Sequence, residues 1–174
     1  MVENSQVNVS LRALEPSDVD CLYIWENDAS LWQNGCTRAP MSRHRLWEYI
    51  QAYEANPDAD GQLRLMIDVV GTPVGTVDLY DFDAHNGHAF VGIMIAPAYR
   101  RKGYAKAALN IICSYCKNQL AMRRLGAFVA EDNEASLALF RSAGFKEITK
   151  LSDWLRRTSV EYVSAYLLIA QLDD

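Results

Sequence analysis

The feature that most constrains the fold lies between Ala89 and Leu120. There a β-rich run, Ala89 to Ile95, passes through one short turn into a helical pattern. The turn reads Pro97-Ala-Tyr99-Arg100-Arg101-Lys102-Gly103-Tyr104-Ala105, and the helix that leaves it places Ala105, Ala108, Leu109, Ile112 and Cys116 along one face up to Leu120. A strand that feeds a helix this way leaves the first backbone N–H groups of the helix converging at its N-terminus, which is an anion site by construction. Gly103 admits a close backbone approach, Ala105 keeps the first turn uncrowded, and Arg100, Arg101 and Lys102 add charge suited to a phosphate ester. The pattern is neither the G-x-x-x-x-G-K-[ST] of a nucleotide P-loop nor the G-x-G-x-x-G of a dinucleotide site.

Around this segment the other elements fall into order. Alternation from Val7 through Val9 to Leu11, with Leu14, predicts a first strand, and Glu15-Pro16-Ser17-Asp18 opens a helix running to about Asn27. A second helix opens at Ser42, since Leu46, Tyr49, Ile50 and Tyr53 keep helical spacing until Asn56-Pro57-Asp58 stops it. Leu63 to Val70 and Val74 to Phe82 are strands joined at Gly71-Thr72-Pro73, and His85-Asn86-Gly87 turns the chain into Ala89 to Ile95. After the central helix come a strand, Leu125 to Ala130, and a short helix capped by Asn133 and stopped by Gly144. Two further β-rich runs, Phe145 to Trp154 and Val160 to Ile169, close the chain. This order predicts one α/β (or α+β) domain over residues 1–174, a mixed sheet flanked by helices.

Composition narrows the function. At 174 residues and 50% hydrophobic content the chain can bury a core that needs no staples, so the four cysteines are not required as disulfides. The net charge of −5 argues against a nucleic-acid binder, whose affinity rests on neutralising phosphates, and suits a cationic substrate. The polar, acidic start lacks the features of a secretory signal, and no apolar run approaches the roughly 18 residues of a membrane span. A cytoplasmic location follows as the expectation, with Cys21, Cys36, Cys113 and Cys116 reduced. Cys113 and Cys116 form a C-x-x-C pair in mid-helix, where packing is the better reading, and His85 and His88 have no third ligand in view, so no metal is expected.

The run Pro97-x-Tyr99-Arg100-x-x-Gly103-Tyr104-Ala105 after a strand resembles the acetyl-CoA-binding motif of the GNAT superfamily of N-acetyltransferases. Asn133-x-x-Ser136-x-x-Leu139-Phe140-x-x-x-Gly144-Phe145 resembles that superfamily's second cofactor segment. Leu11-Arg-Ala-Leu14-Glu-Pro-Ser-Asp18 is similar to the opening of the branch holding the ribosomal-protein N-terminal and spermidine N-acetyltransferases. The resemblance implies that the strands Ala89 to Ile95 and Leu125 to Ala130 splay apart. The pantetheine arm of acetyl-CoA would then pair with backbone near Ile93, Met94 and Ile95. The implied cofactor-binding set continues with Arg100, Arg101, Lys102, Gly103, Tyr104, Ala105, Asn133, Ser136 and Phe140. It implies acetyl transfer to a primary amine, either a protein or peptide N-terminus or a small polyamine, with a homodimer as a further possibility.

Two positions depart from the superfamily's pattern. Phe140 stands where many members carry the Tyr that protonates the CoA thiolate, and Phe90 stands about where many carry a Glu base. Ser136 is the substitute acid, against the alternative that it bonds only within its helix turn, and Asp153 is the substitute base. Asp78, Asp81 and Asp83, with Glu26 and Asp28, are the other acidic candidates for an amine-attracting mouth; strand alternation pairs Asp81 with Asp83 on one face and Asp78 with Tyr80 on the other. Trp25, Trp32 and Trp47 either wall an acceptor pocket or anchor helices on the sheet. The missing acid and base also keep a rival in view, a non-catalytic acyl-CoA-binding regulatory module.

Overall fold

The computed structural model describes residues 8–32, 39–53 and 56–172. Among these residues the strands are β1 (Ser10–Arg12), β2 (Leu63–Val69), β3 (Thr72–Asp83), β4 (His88–Ile95), β5 (Arg124–Ala130), β6 (Lys146–Arg156) and β7 (Tyr162–Gln171). The helices are α1 (Val19–Glu26), α2 (Ala29–Trp32), α3 (Arg43–Ala52), α4 (Pro57–Asp60), α5 (Tyr104–Asn118) and α6 (Glu134–Ser142). One sheet runs β1-β2-β3-β4-β5-β7-β6, antiparallel throughout except where β4 meets β5 in parallel. The mixed sheet flanked by helices is as the sequence predicts. Val7 and Cys36 lie outside the described residues, and α2 and α4, each of four residues, were too short to leave a periodic signal.

α3 and α6 begin where a side chain supplies what their first N–H groups need. Ser42 caps α3 by accepting from the Arg45 N–H at 3.1 Å, and Asn133 caps α6 by accepting from the Ser136 N–H at 3.1 Å. Ahead of α1, Pro16 opens a single 3-10 turn, and the buried Asp18 carboxylate accepts from the Glu15 N–H at 2.8 Å. Arg12 of β1 grips the same carboxylate at 2.7 and 2.8 Å, so one fork of hydrogen bonds ties the edge strand to the start of α1.

The two faces of the sheet carry different layers. One face packs α5 through Ala108, Leu109, Ile112 and Cys116, and α6 through Leu137 and Phe140, onto Val77, Leu79, Val91, Leu125 and Leu168. Burying each of the large aliphatic side chains contributes about 1.5–3 kcal/mol. The other face takes α1 and α3, whose Leu22, Trp25, Leu46 and Ile50 pack on Met66 and Ala96. Burial pushes the Cys113 thiol up to about 11 and the Cys116 thiol up to about 12, which disfavours the reactive thiolate and fits packing.

Gly75 is the tightest point of the sheet. A Cβ there would stand 2.0 Å from the Met94 carbonyl oxygen, so β3 lies closer to β4 than any side chain allows. Gly75→Ala is expected to destabilise the chain by about 3 kcal/mol, because the obstacle is backbone that cannot swing aside; an unchanged melting temperature would contradict this. Asp18 supplies a second test. Burial opposes its charge, but the bonds from Arg12 and Glu15 outweigh that and hold the carboxyl below its ordinary 3.8. Such a depressed pKa gives stability that is present above 3.8 and lost as pH falls below it. Asp18→Asn is expected to cost about 2 kcal/mol at neutral pH and to flatten the acid limb of stability against pH, as read by urea titration.

Candidate functional site

β4 and β5 pair for three residues only: His88 with Arg124, Ala89 with Leu125 and Phe90 with Gly126. Beyond Phe90 they separate, although β4 continues to Ile95 and β5 to Ala130, each still paired on its outer side. Strand edges facing a gap present unpaired backbone N–H and C=O groups. The segment Val91 to Ile95 therefore offers a row of donors and acceptors to an extended chain entering the gap. Ile93, Met94 and Ile95 lie on it, half-buried.

The gap opens toward the N-terminus of α5. Pro97–Tyr99 form one 3-10 turn, after which Arg101 (φ 62°) and Gly103 (φ 81°) take left-handed conformations that fold the chain back into the helix. Gly103 occupies the cap position and contributes no side-chain bond. The first helical bond is donated by the Ala107 N–H to the Gly103 carbonyl at 3.1 Å, so the N–H groups of Tyr104, Ala105 and Lys106 have no helical acceptor. Arg100 donates through Nε to the Ile95 carbonyl at 3.0 Å, tying the turn to the end of β4. Lys102 lies 5.5 Å from the Tyr99 ring centroid, and Arg101 is exposed. The turn thus presents convergent amides and two exposed cations to an anionic ligand.

α6 supplies the other flank. The bond at Ser136 runs through its backbone N–H to the Asn133 side chain, and among the described residues its hydroxyl has no hydrogen-bond partner. Phe140 is buried, edge-on to Phe145 with centroids 5.0 Å apart, so its ring belongs to the core. Asp153 is exposed on β6, within a break in the β6–β7 register, at φ 49°.

The face of the sheet away from α5 and α6 holds the groups that sequence reasoning missed. Arg64 of β2 donates to Asp78 of β3 at 2.5 Å and to Glu26 at the end of α1 at 2.9 Å, and its backbone N–H donates to the hydroxyl of Tyr53, directly after α3. Burial disfavours the Arg64 charge, but Asp78 and Glu26 more than restore it and raise its pKa. Burial likewise pushes the Tyr53 hydroxyl up to about 12. Two of the five acidic candidates are therefore neutralised in part by one guanidinium. Asp28 accepts from the Ser30 N–H, and Asp83 holds the turn by accepting from Asn86. A bulge between Tyr80 and Asp83, with Asp81 at φ 48°, breaks the alternation expected to put Asp81 and Asp83 on one face.

Beside the Arg64 cluster, four rings cross the sheet. Tyr80 of β3 stacks on Phe90 of β4 at 5.8 Å, Phe90 on Phe128 of β5 at 4.9 Å, and Phe128 on Trp154 of β6 at 6.4 Å. Phe90 lies over Gly126, where a Cβ would come within 2.6 Å of the ring. Trp25 is buried between α1 and α3, Trp32 donates to the Glu26 carbonyl at 2.7 Å, and Trp47 is exposed, so the three tryptophans singled out from the sequence mainly anchor or border the helices. Among the described residues no cluster of metal-ligating side chains occurs, and no helix is long and apolar enough to cross a membrane.

Comparison with known proteins bears on what this arrangement serves. The chain is 31% identical over 143 residues to an N-acetyltransferase 9-like protein of Nematostella vectensis, a match covering 81% of this chain and 62% of that one. This chain thus spans less than two thirds of that relative's length. It is 25% identical to a spermidine N(1)-acetyltransferase of Escherichia coli (strain K12), over 79% of this chain and 73% of the other. A crystal structure of spermidine N-acetyltransferase from Vibrio cholerae, in complex with CoA and spermine, superposes with a TM-score of 0.84 at 21% identity, covering 94% and 95% of the two chains, and so shares the fold. The profile of the acetyltransferase (GNAT) domain matches residues 8–146, which take in the parted strands, the turn before α5 and all of α6. By that match this chain belongs to the GNAT acetyltransferase family.

Proposed function

We propose that the chain is a cytoplasmic N-acetyltransferase that moves the acetyl group of acetyl-CoA directly to a primary amine. The observation that carries this reading is the parting of β4 from β5 after Phe90, in line with an uncapped helix N-terminus at Gly103. An amide-bearing arm fits along Val91 to Ile95, and a pyrophosphate fits the N–H groups of Tyr104, Ala105 and Lys106, with Arg101 and Lys102 nearby. No other feature of the described residues supplies both an extended edge and an anion cradle in register.

The reaction balances without a metal or an acyl-enzyme. The neutral amine nitrogen attacks the thioester carbonyl carbon, a C–N bond forms, the C–S bond breaks, the nitrogen sheds one proton and the departing thiolate takes one up. Backbone N–H groups on the open edge of β4 are placed to stabilise the oxyanion that develops between these steps. Ser136, whose hydroxyl is uncommitted, is the proposed acid for the thiolate, and Asp153 is the proposed base. Phe90 and Phe140 hold the two positions where many members of the family place ionisable groups, so orientation of amine and thioester carries more of the rate here.

The test is calorimetric titration with acetyl-CoA followed by thiol release with a panel of amines. Tight binding with amine-dependent thiol release is the expected result; binding without release from any acceptor would favour the regulatory module, and absence of binding would sink both. Gly103→Ala, which forces a side chain into a left-handed position at a cost of about 1–2 kcal/mol, is expected to weaken acetyl-CoA binding about tenfold by displacing the cradle. Ser136→Ala is expected to lower kcat by about tenfold or more while leaving acetyl-CoA affinity unchanged; an unaltered kcat would remove Ser136 as the acid.

A further inference from the structure

Tyr80, Phe90, Phe128 and Trp154 come from four different strands, yet their rings follow one another at centroid spacings of 4.9 to 6.4 Å with interplanar angles of 8° to 25°. Core packing does not require this. The hydrophobic cluster beneath α5 and α6 lies on the opposite face, and Trp154 keeps 58% of its surface exposed while stacked. Two departures from regular backbone aim the end rings. Asp81, directly after Tyr80, and Asp153, directly before Trp154, both stand in the left-handed region at bulges, φ 48° and 49°. Non-glycine residues in that conformation cost of order 1–3 kcal/mol each. Gly126 adds the third device, since any side chain there would lift Phe90 off Phe128.

The row crosses β4 where β4 and β5 part, because Phe90 and Gly126 are their last paired residues. It therefore floors the sheet beside the gap proposed to hold the thioester, on the face that α5 and α6 do not cover. The charges of this face select against a linear polyamine. Asp78 and Glu26 are both bound to Arg64, so the carboxylates best placed to hold a second or third ammonium already have a fixed cation between them. Ring faces, in contrast, take an apolar or aromatic group by stacking and attract an ammonium through their quadrupoles.

We propose, resting on the acetyltransferase reading above, that the acceptor is a primary amine with an aromatic group close to its nitrogen, seated on the Tyr80–Phe90–Phe128–Trp154 row. The shared chemistry is an arylalkylamine, free or presented by an aromatic residue at a peptide N-terminus.

The experiment compares phenethylamine, tryptamine and a phenylalanyl-glycine peptide with propylamine, spermidine and a diglycine peptide, at saturating acetyl-CoA. The aromatic amines are expected to exceed their aliphatic counterparts at least tenfold in kcat/KM, and a free amine exceeding the peptide, or the reverse, identifies the source. Trp154→Ala and Phe128→Leu are expected to raise KM for the aromatic amines about tenfold, well beyond any change in KM for propylamine or in acetyl-CoA affinity. A readout independent of turnover is calorimetric binding of phenethylamine to the CoA-bound protein, which Trp154→Ala is expected to weaken about tenfold. Spermidine turned over as well as phenethylamine, or phenethylamine binding that ignores both substitutions, would overturn the proposal while leaving acetyl transfer standing. Ring-dependent binding with no thiol release from any amine would keep the aromatic site and remove the transferase reading instead.

Discussion

Three residue pairs hold β4 to β5, and the rest of the structure is arranged around the place where that pairing stops. A parallel pair gains stability with each added hydrogen bond, so strands that run on for several residues after separating need a reason to stay apart. Phe90 is one such reason. Its ring lies flat over Gly126 and continues into Phe128, which fills the face of the sheet at the fork with aromatic carbon. The turn at Pro97 to Gly103 is another, because it carries the end of β4 directly into α5 and fixes where that end must point. The fork thus aligns two features that a continuous sheet could not bring together, an open strand edge and a helix N-terminus.

A divided sheet needs cohesion from elsewhere. α5 and α6 lie across the underside of the fork, and the side chains they bury reach Val91 on one branch and Ala127 and Val129 on the other. Each branch is also secured on its outer side. β5 pairs with β7 along its whole length, while β4 is held to β3 so closely at Gly75 that no side chain fits. β6, an edge strand, is anchored by an ion pair from Lys150 to Glu131 at 2.5 Å and, directly after its end, by one from Arg157 to Asp132 at 2.6 Å. Surface pairs of this kind contribute little individually. Here their effect is positional, because they fasten the strand that carries Trp154 to the loop leading into α6.

The regular elements were legible because each declares itself locally. The 3.6-residue spacing of Ala108, Leu109, Ile112 and Cys116 marks α5, and Ser42, Asn133 and Gly144 mark helix ends by their capping chemistry. The turn from Pro97 to Ala105 was legible for the same reason, since its function resides in consecutive backbone groups. The aromatic row was not, because its rings are separated by between 10 and 38 positions in sequence and meet only through strand register. Alternation also misplaced Asp81 and Asp83, as a bulge shifts the face of every residue after it. Arg64 did leave a trace: a lone cation inside Leu63-Arg-Leu-Met-Ile67 is costly to bury without partners, which signals that carboxylates must face it.

The same economy of charge bears on catalysis. A carboxylate at Phe90 would need solvation or a cation beside a sheet face already occupied by Tyr80 and Phe128, whereas a ring there extends their stack. In the acetyl transfer proposed above, deprotonation then falls to water and to a carboxylate such as Asp153, which is exposed. In return, a low-polarity floor would strengthen every dipole that faces the thioester of that proposal, including the amides on the open edge of β4. The proposed proton transfer at an exposed carboxylate and the proposed oxyanion stabilisation at the fork are compatible because they would act on different atoms: the first on the incoming nitrogen, the second on the thioester oxygen. A ring at Phe90 thus leaves intact the geometry that the parted strands provide, and the proposed reaction draws its base from elsewhere.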